Sequence, residues 1–218
     1  MLISKTNALA GFLKGVSVSH DNEKKPAQGN PPPLGADSVS WPVINSQLQL
    51  QKAAETLQSG GRVYPDQGNK IGEILKSLGV IDDKIIDAVE KRHHTKNAKD
   101  KPTGALLVYM GIIEAEVLTR ALCIQSGVLM VDVQSIGVPY EILKLVTNDN
   151  AREKQAIPVG AYKGTLYLAV ADPFNFSEQH FFSFSTGLKI KPVFAPHNQI
   201  TTCLDTKWAE GRSEIWAG

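Results

Sequence analysis

The sequence predicts an α+β fold in which a helical subdomain of tandem helix–turn–helix repeats precedes a small α/β-sheet subdomain. Three observations carry that expectation. A glycine-centred motif occurs twice between Lys70 and Gln125. After Gln125 the texture changes to short apolar, β-branched runs separated by turn signals. Before residue 66 the chain is rich in glycine, proline and polar residues and shows only weak periodicity.

Taken in order, residues 1–65 read as a largely disordered arm. Lys24-Lys25-Pro26, the run Gly29 to Pro33 and Gly35 cannot bury enough apolar area to offset chain entropy. Two short amphipathic pieces flank this linker. Leu9, Phe12, Leu13 and Val16 form one, and Ile44, Leu48, Ala54 and Leu57 the other. They read as solvated, frayed helices, with docking to a partner or a membrane surface as the sharper alternative. Gly60-Gly61 and Pro65-Asp66-Gln67-Gly68 close the arm as turns.

Residues 66–126 form the expected helical subdomain. Gly72 and Gly79 are separated like Gly104 and Gly111, and alignment on them matches Ile74 with Leu106, Leu75 with Leu107, Val80 with Ile112 and Ile81 with Ile113. In each copy a short helix should end at the second glycine, because a left-handed C′ residue costs glycine least. The next two apolar residues should enter the core. Asp82 and Glu114 then stand where an N-cap or first-turn acid favours a second helix. That second helix carries one apolar face through Ile85, Ala88 and Val89, and through Leu118, Ala121 and Leu122. The spacer His93 to Lys101 is polar and basic and reads as a surface loop.

Residues 127–208 form the expected sheet subdomain, and residues 209–218 a loose tail. Val128 to Val133 reads as a buried strand, Pro139 to Val146 and Asn150 to Gln155 as short helices. Ile157 to Val159 and Thr165 to Val170 read as strands joined by a hairpin at Lys163-Gly164. Ser177 to Thr186 should be a helix stopped by Gly187, Leu188 to Ala195 a strand, and Pro196 to Trp208 a closing helix.

Composition narrows the function. The chain has 218 residues, with 23 Lys+Arg against 22 Asp+Glu and a formal net charge of +1. Near-neutrality argues against a nucleic-acid polymer as partner, which calls for a marked basic excess. Two cysteines, Cys123 and Cys203, are too few for a disulfide scaffold or a zinc cluster. Both lie on apolar stretches and read as buried structural thiols. No run approaches the about 18 apolar residues of a membrane span, and the N-terminus lacks a signal-peptide pattern, so a cytoplasmic protein is expected.

Catalytic motifs are missing. The sequence has no GxxxxGK[ST] phosphate loop, no GxSxG elbow, no HExxH and no CxxC. His93-His94 sits in a lysine-rich stretch without carboxylate or thiolate company and reads as a solvated basic loop. The chain is therefore expected not to be an enzyme and to hold no metal and no cofactor.

From Lys70 to Trp208, about 140 of the 218 residues, the ordered motifs resemble the N-terminal regulatory domain of type II secretion and type IV pilus assembly ATPases. Gly104 through Gln125 follows the family repeat closely. Val131-Asp132-Val133, Ala151-Arg152, Ile157-Pro158, Leu166 to Pro173 and Thr186-Gly187-Leu188 follow in order. The ATPase module that usually comes next in the family is not in this sequence.

The resemblance implies a cyclic di-GMP ligand lying across both repeats. Glycines would let backbone N–H groups approach it, cations would meet phosphates or guanine faces, and apolar side chains would cover the rings. Carried over, Lys70, Ile71 and Gly72 take the Arg-Leu-Gly place, Thr103 and Gly104 open the second unit, and Gln125 is its closing glutamine. Ile85, Val89, Leu118 and Leu122 would be apolar contacts. Gly79, Gly111 and Arg92 complete the set, and Asp172 would hold a cation. The sequence departs from the family pattern in Lys70 for Arg, Pro102-Thr103 for the second Arg-Leu, Arg92 for the first Gln, and a longer spacer. Lysine lacks the planar fork of arginine.

The expected function is a non-enzymatic cytoplasmic cyclic di-GMP receptor or adaptor of a bacterial secretion, pilus or exopolysaccharide-export system. Its partner would be a subunit of such a complex, through which the chain is recruited to the inner membrane. The alternative is a protein–protein interaction scaffold of that machine with a degraded nucleotide site.

Overall fold

The computed structural model describes residues 33–93 and 102–208. Helix pieces expected near Leu9 to Val16, the His94 to Lys101 spacer and the tail from Ala209 lie outside those residues. After a short 3-10 turn at Ala36–Ser38 come β1 (Val43–Ile44) and α1 (Gln47–Gln58). Four helices follow: α2 (Ile71–Ser77), α3 (Asp83–His93), α4 (Thr103–Tyr109) and α5 (Ala115–Ser126). Then come β2 (Met130–Val131), α6 (Tyr140–Leu143), α7 (Asn148–Lys154), β3 (Ala156–Tyr162) and β4 (Thr165–Val170). The described chain closes with α8 (Phe176–Thr186), β5 (Lys189–Phe194), α9 (His197–Cys203) and a π-helical turn at Leu204–Trp208. None of the described helices is long and apolar enough to cross a membrane. The described residues divide into two compact units, a helical one made of 33–42, 64–93 and 102–127, and a sheet unit made of 43–63 and 128–208.

The sheet unit is the α+β layer. Its strand order is β1-β2-β5-β4-β3, with β3 antiparallel to β4 and the other neighbours parallel. The hairpin tip is where the sequence puts it: Lys163 and Gly164 have φ of 45° and 75°. Every residue of β4 is buried, so this strand reads as a continuous apolar run, as a strand covered on both faces does. A register shift between Pro158 and Gly160 bulges β3. The core gathers Leu50, Ile157, Leu168, Phe182, Val193 and Ile200. Cys203 is buried here, and Cys123 is buried in the helical unit, neither in a disulfide.

Folded structure starts earlier than the arm expected over residues 1–65. β1 pairs in parallel with β2, Val43 opposite Met130 and Ile44 opposite Val131. Ser46 caps α1 by accepting from the Gln49 N–H at 3.4 Å, and Leu50 and Ala54 face the core. The Gln47 side-chain amide donates to the carbonyls of Val159 at 2.8 Å and Gly137 at 3.1 Å. The weak apolar stripe of this helix understates it because much of the anchoring is tertiary: a small Ala54, a polar Gln47 and a two-residue strand leave little trace in periodicity.

Burial raises the Glu178 carboxyl above its ordinary 4.5, with Asp172 adding to the rise and Lys154 opposing it. A raised acid binds its proton more tightly in the fold. Its contribution is fully present below 4.5 and is lost as pH climbs through the raised value. Glu178→Gln, which mimics the protonated form, is expected to match the parent at acid pH. Its thermal midpoint should exceed the parent's increasingly as pH rises toward neutrality, read from melts across that range.

In the helical unit the two helix ends are built alike. Gly79 and Gly111 have φ of +69° and +66°. The Gly79 N–H donates to Lys76 O and Val80 N–H to Leu75 O, both at 2.9 Å; Gly111 and Ile112 donate to Val108 O and Leu107 O at 2.9 and 3.0 Å. Each is a Schellman ending. Asp82 then caps α3, its Oδ1 accepting from Ile85 N–H at 2.9 Å, whereas Glu114 makes no side-chain cap on α5. The single apolar face expected on both second helices is kept only in part on α3, where Val89 is buried and Ile85 half-buried but Ala88, expected on that face, is exposed. It does not hold for α5, whose residues Val117, Leu118 and Arg120 to Ile124 are all buried. That helix packs against α2 and α4, and Arg120 is covered as well.

The stretch Pro33 to Pro42, expected as linker, is tied to this second copy. Leu34 N–H donates to Ile112 O at 3.0 Å and Leu34 O accepts from Glu114 N–H at 3.1 Å, a parallel bridge to Ile113. Trp41 Nε1 donates to Ala36 O at 2.8 Å, and the Arg120 guanidinium lies 5.6 Å from the Trp41 ring centroid while paired with Glu116.

Candidate functional site

The helical unit carries all the sequence-predicted site residues except Asp172. α2 packs against α4 and α5, α3 against α4, and α4 against α5, so residues from both glycine motifs share one packed body. The strongest link joins its two ends. Gln125, near the end of α5, donates from Nε2 to Asn69 O at 2.8 Å and accepts at its own backbone carbonyl from Gly68 N–H at 3.0 Å. Asn69 is the residue before Lys70. The turn that presents Lys70 therefore rests on the closing glutamine.

That turn is internally braced. Asp66 accepts from Asn69 Nδ2 at 3.1 Å and from Ser77 Oγ at 2.8 Å, linking it to the end of α2. Gly127 leaves room for Gln67, whose Nε2 would lie 2.5 Å from a Cβ at position 127. Glu73 accepts from the Lys70 backbone N–H at 3.1 Å and so helps to start α2. Lys70 itself is exposed, with Ile71 and Gly72 half-buried behind it. A Cβ at Gly72 would meet nothing within 4 Å.

Gly104, the matching glycine, has a different environment. It is buried, and a Cβ there would come 2.4 Å from Leu118 Cδ1. Its role is the close approach of α4 to α5. Leu118 is 4% exposed, Leu122 7% and Val89 1%, so these expected ligand contacts are core side chains. Ile85 and Thr103 are half-buried, and Gly79, Gly111 and Arg92 are exposed. The structure thus brings Lys70 and Gln125 to one end of the unit, where Gly72 opens to free space, and uses Gly104, Leu118, Leu122 and Val89 for packing.

Asp172 lies in the sheet unit. Its carboxylate accepts from Phe174 N–H at 3.0 Å and shapes the turn before α8. Among the described residues no cluster of His, Cys, Asp and Glu could hold a metal ion. Sequence reasoning missed Asn69, the Trp41–Arg120 stack, and the bracing roles of Asp66 and Gln67, which read only as part of a turn. The Glu116–Arg120 spacing of four on a helix is the one signal that was available for that stack.

This chain is similar to the N-terminal domains of secretion and pilus-assembly ATPases. Residues 126–206 match the MshEN domain model, a span covering most of the sheet unit and stopping short of the glycine motifs. The type IV pilus assembly ATPase PilB of Myxococcus xanthus (strain DK1622) is 28% identical over 141 residues, 65% of this chain. The chain spans about a quarter of that relative, 24% of its length. Among solved structures, MshE with cdg is 21% identical, covers 63% of this chain and 97% of its own, and superposes with a TM-score of 0.44. The N-terminal domain of XpsE is 21% identical, covers 68% and 94% respectively, and has a TM-score of 0.36.

Proposed function

We propose that the chain is a non-enzymatic receptor or adaptor that binds cyclic di-GMP through the helical unit, in which the α2–α3 and α4–α5 pairs act as tandem repeats. It serves a bacterial secretion, pilus or exopolysaccharide-export machine from the cytoplasmic side, and a subunit of that machine draws it to the inner membrane. The observation that carries this reading is the Gln125 to Asn69 hydrogen bond at 2.8 Å, which sets the closing glutamine of one motif beside the opening cation of the other. Lys70 supplies a cation for a phosphate or a guanine face, and Gly72 leaves its backbone approachable. The ordered motifs, the matched domain model and the pilus-ATPase relative support the reading.

A second reading is favoured by the packing at Gly104. With Leu118 and Leu122 already buried, as is Val89 of the first motif, the second motif contributes structure only, and the chain is an interaction scaffold of the same machine. Titration calorimetry of the full chain with cyclic di-GMP separates the two. Saturable heat is expected, and Lys70→Ala, at an exposed position outside the core, should weaken binding about tenfold, or ~1.4 kcal/mol. A folded parent that gives no heat at tens of micromolar leaves the scaffold reading in place.

A further inference from the structure

The two glycine motifs are alike in sequence and unlike in surface. In the first, Lys70 is exposed, Ile71 and Gly72 are half-buried, and a Cβ at Gly72 would meet nothing within 4 Å. A flat base can come down over Gly72 with the Lys70 ammonium beside it. In the second, Pro102 and Thr103 stand where the first has Lys70 and Ile71, so neither matching position carries a cation. Gly104 is buried, and a Cβ there would lie 2.4 Å from Leu118 Cδ1. Leu118 and Leu122 are 4% and 7% exposed. No base can lie over Gly104 while α4 and α5 stay packed.

Cyclic di-GMP is twofold symmetric, with one guanine and one phosphodiester charge repeated on either side of its ring. The first motif of one chain meets one such half. Nearby carboxylates are already engaged: Asp66 accepts from Asn69 Nδ2 and Ser77 Oγ, and Glu73 accepts from the Lys70 N–H. The Lys70 ammonium is therefore the group offered to the phosphate. The other half of the ligand, a second guanine and a second negative charge, is left facing outward. What complements it is what complements the first half, an exposed cation beside an open glycine. A second copy of the same turn supplies that, because identical surfaces pair about a twofold axis without either being altered. Two lysines also balance two phosphates.

We infer, building on the nucleotide reading above, that this chain carries a half-site, and that one cyclic di-GMP joins two copies of it, each giving Lys70 and the open face at Gly72. The second motif acts as the buttress. Its Gln125 holds the turn before Lys70 through Asn69 O at 2.8 Å, and Asp66 ties the same turn to Ser77. The nucleotide thereby acts as a dimerising signal.

Calorimetry and sedimentation velocity of the full chain with cyclic di-GMP test this together. One ligand per two chains is expected. The mass should double as nucleotide is added and fall back in large ligand excess, when every half-site takes its own molecule. Lys70→Ala and Gly72→Val should each weaken binding about tenfold or more and stay monomeric where the parent pairs. Lys70 is exposed and the Gly72 side opens to free space, so both variants should melt within a few degrees of the parent. One ligand per chain on a monomer overturns the half-site and leaves the nucleotide reading standing. A dimer that forms equally without nucleotide, or that persists in both variants, also overturns it. A folded parent that gives no heat overturns the nucleotide reading and the half-site together.

Discussion

Phe182→Ala is expected to destabilise the sheet unit by about 3–5 kcal/mol. Phe182 is fully buried and meets the Phe181 ring edge-on, with centroids 5.2 Å apart and planes at 87°. It is the only residue of α8 that is buried, so the helix hangs on the sheet core largely by this ring. Truncation removes the transfer free energy of the ring and leaves a cavity that neighbours fixed in β4 and β5 cannot close. The contrast is Phe184 on the same helix, 94% exposed, whose alanine variant should stay within about 0.5 kcal/mol of the parent. Urea unfolding of the two variants checks the pair, and equal losses would mean that α8 is seated differently.

Gly104→Val should lower the stability of the helical unit by about 3 kcal/mol. The new Cβ begins 2.4 Å from Leu118 Cδ1, and Leu118 is a core residue with little room to turn away. Valine also carries a branched Cβ into a helix, adding to the cost. Gly104→Ala is milder, because the gain in helix propensity of about 0.5–1 kcal/mol opposes the clash. Combining it with Leu118→Ala should recover part of the loss from each single change, and the double-mutant cycle gives the coupling directly. If the two changes simply add, Gly104 is not where α4 and α5 touch.

Local chemistry was readable in the sequence and tertiary anchoring was not. Gly79 and Gly111 announce their helix ends because a left-handed residue is a local demand. Asp82 announces its cap, and Lys163-Gly164 its hairpin, for the same reason. α1 reads in the sequence only as a solvated, frayed helix because two core contacts and one polar clamp through Gln47 make a faint stripe. The Pro33 to Pro42 stretch looked like solvent-exposed linker because a backbone bridge at Leu34 and a cation–ring contact at Trp41 have no compositional signature. For the candidate site, sequence could equate Gly72 with Gly104 but could not see that one faces open space and the other a leucine. That distinction belongs to packing between helices far apart in the chain.

The contact between the turn at 66–69 and the end of α5 also has a bearing on how the chain is assembled. The helical excursion leaves and re-enters the sheet unit between Val63 and Val128. Gln67 sits against Gly127, so the two ends of that excursion are neighbours. An insertion with adjacent ends can be grafted, lost or exchanged at little topological expense to its host. In chain order residues 64–127 thus have the form of a cassette, and the earlier stretch 33–42, which belongs to the same body, would have to travel with it in any graft.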